Sequence, residues 1–153
     1  GDALLLSFLM VIFYAGAAVS NIIIIRLMPL VRPGRIFLLM QLSRMLILGL
    51  MWVEPAFWIF ALACVGWGLN MGVTMTLART IVQESAAEKF RARIMSVYSL
   101  GLLGSAPIGA LILGRFIDSF GILNALVPAM SISLALFFYG IIFTEVFEYR
   151  SPS

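Results

Sequence analysis

Apolar runs alternate with short polar intervals along the whole chain, with no sustained strand-like alternation and no heptad seam. A bilayer-spanning helix needs about 20 mostly apolar residues. Five segments approach or exceed that length: residues 3–25, 36–53, 55–82, 94–116 and 123–143. The pattern predicts an all-α membrane protein with about five transmembrane helices forming one helical region over residues 1–153.

The polar intervals set the expected topology. The first, RLMPLVRPGR, combines two prolines and a glycine with Arg26, Arg32 and Arg35, so it reads as a basic loop. Glu54-Pro55 makes a tight turn without Lys or Arg, and Pro55 suits the first turn of the third helix. The longest interval, RTIVQESAAEKFRAR, holds Arg79, Lys89, Arg91 and Arg93, and reads as the main cytoplasmic loop under the positive-inside rule. Asp118 and Gly121 mark a short outer turn, with Arg115 the one cation near it. Alternation then places the N-terminus outside and the C-terminus in the cytoplasm of a multi-pass protein of the inner (plasma) membrane.

Composition sharpens this picture. The chain has 153 residues, of which 63% are hydrophobic and 11% charged. Soluble domains carry about 25% charged residues, so lipid is the expected solvent for most of this surface. The net charge of +3 does not indicate nucleic acid, because the cations sit in short loops facing anionic headgroups. Histidine is absent and Cys64 is the single cysteine, which removes His-based acid–base catalysis, Cys/His metal sites and internal disulfides. No enzyme, cofactor or metal is expected. The first apolar run lacks a basic n-region and a small-residue cleavage site, so it does not read as a signal peptide. The start at Gly1 reads as a cut within something longer.

Four groups of residues are candidates for function. Arg44 lies about 13 Å into the second helix, where a charge costs about 2.5–3.5 kcal/mol on insertion scales. Either it serves a substrate pathway or a partner, or it snorkels to the headgroups from a short helix. Gln41 lies at i−3 on the same face. Asn70 and Thr74 form a polar stripe with Gly66 on the third helix, which either lines a substrate cavity or bonds a neighbouring helix. Gly101, Gly104, Ser105, Pro107 and Gly109 give the fourth helix a small-residue face, suited either to flexing during gating or to close static packing. Gly66, Gly68 and Gly72 do not form a dinucleotide fingerprint, since no strand precedes them and the spacing is wrong.

The stretch from 78 to 121, ARTIVQESAAEKFRARIMSVYSLGLLGSAPIGALILGRFIDSFG, resembles the late part of major facilitator superfamily transporters, most of all bacterial drug and siderophore exporters. The matching positions are Arg79, Thr80 and Gln83, then Arg91 and Arg93, then Pro107-Ile108-Gly109-Ala110, and finally Asp118 and Gly121. The loop before the second helix departs from the family's acidic–basic pattern, with Ile25 where an Asp is expected and Asn21 where a Gly is expected. The resemblance implies helices eight to twelve of a twelve-helix fold, a missing N-terminal half as partner, and a small-molecule substrate between the halves. It implies export of small amphipathic compounds by alternating access. The competing expectation is a small, non-transporting membrane subunit that packs against a partner protein.

Overall fold

The computed structural model describes residues 2–151. The described residues form five α-helices: α1 (Asp2–Leu27), α2 (Pro33–Trp52), α3 (Phe57–Ser85), α4 (Arg91–Phe120) and α5 (Leu126–Ile142). Two single 3-10 turns, Glu88–Phe90 and Glu145–Phe147, complete the secondary structure, and no strand occurs among the described residues. Four of the helices are long and apolar enough to cross a membrane; α5, with 17 residues, is shorter.

Local chemistry explains most boundaries. Pro29 ends α1 by disfavouring helical geometry in the residues before it. Pro33 opens α2, where its missing N–H leaves no helical hydrogen bond unmade. Glu54 takes a left-handed φ of 54° and turns the chain between α2 and α3. Pro55 falls outside α3 rather than in its first turn, since Ala56 is the residue that precedes the helix. Gly121 closes α4 with φ 86°, a conformation that suits a residue without a Cβ.

The interval from 79 to 93 is mostly helical, which corrects its expected reading as a loop. Arg79 lies within α3, and Arg91 and Arg93 lie within α4. Only Ala86 and Ala87, with the turn that follows them, separate the two helices. Nothing between Arg79 and Ser85 breaks a helix, and Arg, Gln and Glu propagate one well. At about 1.5 Å per residue α3 reaches about 43 Å, longer than the roughly 30 Å hydrocarbon core.

The helices form a row in the order α1, α3, α2, α5, each packing on the next. The α1–α3 contact is the closest, because both helices present small residues. A Cβ at Gly68 would collide with the Phe13 carbonyl of α1, and one at Gly72 with Ala17 and Ser20. From the other side, a Cβ at Gly16 would come within 2.8 Å of the Val65 carbonyl of α3. Phe13 and Trp67 then meet edge to face, ring centroids 5.2 Å apart. Leu48 and Met51 of α2 join Ala63 and Cys64 of α3 in the buried core, with Ala129 and Met130 of α5 against them.

α4 stands apart. Among the described residues it meets only α3 and the short turn leading into it, and none of its residues is buried. Its glycines at 101, 104, 109 and 114 have nothing within 4 Å of where a Cβ would sit. The small-residue face, suited to flexing or to close packing, therefore meets no neighbour among the described residues; the small residues in close contact lie on α1 and α3.

This contrast yields a stability prediction. Gly68→Ala should force α1 from α3 and cost about 1–3 kcal/mol as an overpacked contact. Gly109→Ala should be neutral, or stabilising by up to about 1 kcal/mol through helix propensity. Unfolding in mixed micelles followed by circular dichroism measures both, and equal losses would contradict the assigned helix contacts.

Candidate functional site

α2 and α3 meet along faces that are apolar except near their middles. Asn70 is the fourteenth of the 29 residues of α3, and it is almost fully buried. Its amide Nδ2 donates to the Met40 carbonyl at 2.7 Å and to Ser43 Oγ at 2.6 Å, both on α2. Its carbonyl Oδ1 accepts from Arg44 Nε at 3.2 Å and from Thr74 Oγ1 at 3.3 Å. Thr74 Oγ1 also lies 2.7 Å from the Asn70 main-chain carbonyl one turn back. Asn70 thus uses both ends of its amide to join two helices.

Arg44 is half-buried and leans onto Asn70 through Nε. Its two terminal nitrogens make no hydrogen bond to a described residue, and no carboxylate lies in salt-bridge reach among those residues. One neutral acceptor does not offset the cost of a charge at this depth, since hydrogen bonds inside membrane proteins average about 0.6 kcal/mol. The guanidinium is held in place with most of its donors unused.

Beside this cluster lies a cavity of about 280 Å³ between α1, α2 and α3. Met40, Ser43 and Asn70 line it on one side and Ser20 on another, and Ile23, Ile47, Leu69 and Val73 supply most of its apolar wall. Gly66 lines it too, so the expected stripe of Gly66, Asn70 and Thr74 is divided. Gly66 and Asn70 border the cavity, while Thr74 is buried behind them.

Gln41 does not join the network. It is buried, and its Oε1 has no hydrogen-bond partner among the described residues. Sharing an i−3 face with Arg44 was too coarse a criterion. Residue 41 sits about 60° round the helix from residue 44, enough to turn it off the cluster. Ser43 carries a role that sequence spacing did not single out, whereas Gly16 and Ser20, a small pair four residues apart on α1, do lie against α3 as that spacing implies. Ser43 could have been found as a polar residue beside Arg44 in an apolar span, but the Met40 main-chain acceptor leaves no trace in side-chain pattern.

A second polar cluster forms where the chain's tail returns to the loop joining α1 and α2. Glu84, near the end of α3, accepts from Ser151 Oγ at 2.5 Å and from Tyr149 OH at 3.3 Å. The Ser151 N–H donates to the Val31 carbonyl at 3.3 Å, and Arg35 lies over the Phe147 ring at 4.5 Å. A smaller cavity of about 250 Å³ lies here, lined by Met28, Pro33, Thr80, Glu84 and Ser151. Arg79 and Arg93 are exposed, whereas Arg91 has a buried Nε without a partner. Helix α4, with Gly101, Gly104, Ser105, Pro107 and Gly109, contributes nothing to either cluster.

No protein-family model matches the chain, and neither a curated protein nor a solved structure matches it at a significant level.

Removing the Asn70 amide should be felt on both helices. Asn70→Ala should destabilise the chain by about 1–2 kcal/mol, and a double-mutant cycle with Arg44→Ala should show coupling of about 0.5–1.5 kcal/mol. Reversible unfolding in mixed micelles gives both values. Strictly additive losses would show that the two side chains do not interact.

Proposed function

We propose that this chain is part of a secondary active transporter that exports small amphipathic compounds by alternating access. The observation that carries the reading is the Asn70 cluster. A partly satisfied arginine halfway along α2 is held by Asn70, and Asn70 borders a cavity with apolar walls and a few polar groups. Transporters of this kind bind substrate near the bilayer midplane, between helices of two halves. An ionisable residue within a membrane-spanning segment is by default a candidate for a substrate or ion pathway. The likeness of residues 78–121 to drug and siderophore exporters of the major facilitator superfamily supports the same reading. So does the uncovered small-residue face of α4, which suits a helix that is packed elsewhere in a larger assembly.

That same face is the observation favouring a second reading, a membrane subunit that docks on a partner protein without transporting anything. The two readings differ in what Arg44 does. In a transporter it works on the passenger, so its loss stops flux; in a docking subunit it can be exchanged without affecting any flux.

The test uses the complete protein in inverted membrane vesicles with an imposed proton or sodium gradient. A panel of amphipathic fluorescent compounds, cationic, neutral and anionic, is followed for uptake normalised to the protein in the membrane. We expect gradient-driven uptake of at least one compound. Arg44→Lys should lower it by well over tenfold, because lysine keeps the charge but loses the planar fork. Uptake no greater than in empty vesicles for every compound, or near-normal flux in the lysine variant, would contradict the proposal.

A further inference from the structure

From the cavity between α1, α2 and α3 we infer a binding site for a small uncharged ring hydrocarbon, taken up from the bilayer; the inference concerns binding alone and stands apart from transport. The cavity holds about 280 Å³, and no residue that lines it is charged. Arg44 is not among them. The polar side chains at its edge are already engaged within the chain. Asn70 Nδ2 donates to the Met40 carbonyl and to Ser43 Oγ, and its Oδ1 accepts from Arg44 and Thr74. Ser43 Oγ donates to the Met40 carbonyl and Ser20 Oγ to the Ala17 carbonyl, each at 3.0 Å. The rest of the lining is chiefly Ile24, Ile47, Leu69 and Val73, with Gly66 between the last helix and Ile47.

These surroundings decide what fits. Polar groups whose donors are spent hold water poorly, and an apolar space left empty forfeits dispersion contacts along its whole lining. Hydrocarbon restores those contacts. A charged group would lose its solvation and find no partner. Size selects among hydrocarbons. The lining runs over residues 40–47 of α2 and 66–73 of α3, about 10 Å at about 1.5 Å per residue. A lipid acyl chain, about half of the roughly 30 Å core in length, overruns that space. It also loses conformational freedom on binding that a rigid ring does not have to lose. Two fused rings match the length. The way in lies between α1 and α2, which pack on α3 without packing on each other among the described residues, and Ile23 at that edge is exposed.

The probe is an uncharged photoreactive ring, 3-trifluoromethyl-3-phenyldiazirine, added to the complete protein in phosphatidylcholine vesicles. Labelled positions are mapped by peptide mass spectrometry, with naphthalene as competitor. Labelling at Met40, Ile47, Leu69 or Val73 should saturate, and naphthalene should displace it at concentrations at least about tenfold below those that dilute the background. The background is labelling of Leu103 and Leu111 on α4, which are exposed and line no cavity described here. Naphthalene-2-sulfonate, the same rings with a fixed charge, should need about 100-fold more to compete at equal concentration in the membrane. Gly66→Leu and, independently, Val73→Phe fill the space and should remove the saturable component while leaving Leu103 and Leu111 labelled. Ile47→Ala enlarges it and should admit anthracene as a competitor. Helicity and elution volume verify that each variant is folded, and the comparison of the two competitors in the unmodified protein needs no variant.

Labelling of the cavity residues that rises linearly with probe, as on α4, would overturn the inference, since mobile lipid chains would then occupy the space. No labelling there, or equal competition by the sulfonate, would overturn it too. So would saturable labelling that survives in both filled variants. Because no gradient is applied, these outcomes are independent of the uptake assay: a saturable site in a protein that moves none of the fluorescent panel keeps the inference and removes transport, and uptake without a saturable site does the reverse.

Discussion

An amide in the middle of an apolar bundle has to be satisfied by its neighbours, because hydrocarbon offers it no partner. Asn70 meets that constraint for α2 and α3 together. Its amide takes the Met40 carbonyl and the Ser43 hydroxyl on one side, and the Arg44 and Thr74 donors on the other. Any slip of α2 along α3 by even one residue would strand several of these groups at once. The apolar contacts that surround the cluster set the two helices side by side; the polar ones fix their register.

α3 is the element on which the rest of the row depends. One side carries Gly68 and Gly72, which let α1 approach to backbone contact, and another carries Asn70 and the core residues that receive α2. Among the described residues α5 packs on the row chiefly through α2, and α4 leaves it directly after the turn that ends α3. The cavity between α1 and α2 follows from this arrangement, since both helices pack on α3 without packing on each other. The small residues bring α1 in close, and the polar residues hold α2 in register, leaving a space with one polar rim.

Much of this was legible in the sequence, and the limits have physical causes. Helix number and type followed from apolar run length, the strongest signal a membrane chain carries. The ends were harder to place. α3 runs on to Ser85 because strong helix formers continue it past the hydrocarbon core, where polarity alone suggests a loop. Arg44, Asn70 and Thr74 stood out as polar residues in apolar spans, and they meet. Gln41 stood out equally but points elsewhere, because residues three apart share a face only loosely. The glycines of α4 resemble those of α3 in sequence, yet only the latter touch a neighbour. Spacing shows that a face is smooth; it does not show what lies against it. The tail's return to Glu84 had no local signal at all, being a contact between residues 65 and 67 positions apart.

The central claim is that Arg44 is held inward on Asn70 rather than extended to the headgroups. Solid-state NMR of the protein in phospholipid bilayers tests this directly, with arginine and asparagine isotopically labelled and lipid phosphorus as the reference. The account predicts a through-space correlation between Arg44 Nε and the Asn70 side-chain carbonyl carbon. It also predicts no measurable dephasing of the Arg44 guanidinium carbon by phosphorus. Strong dephasing by phosphorus together with loss of the Asn70 correlation would place the side chain at the lipid headgroups and contradict the account.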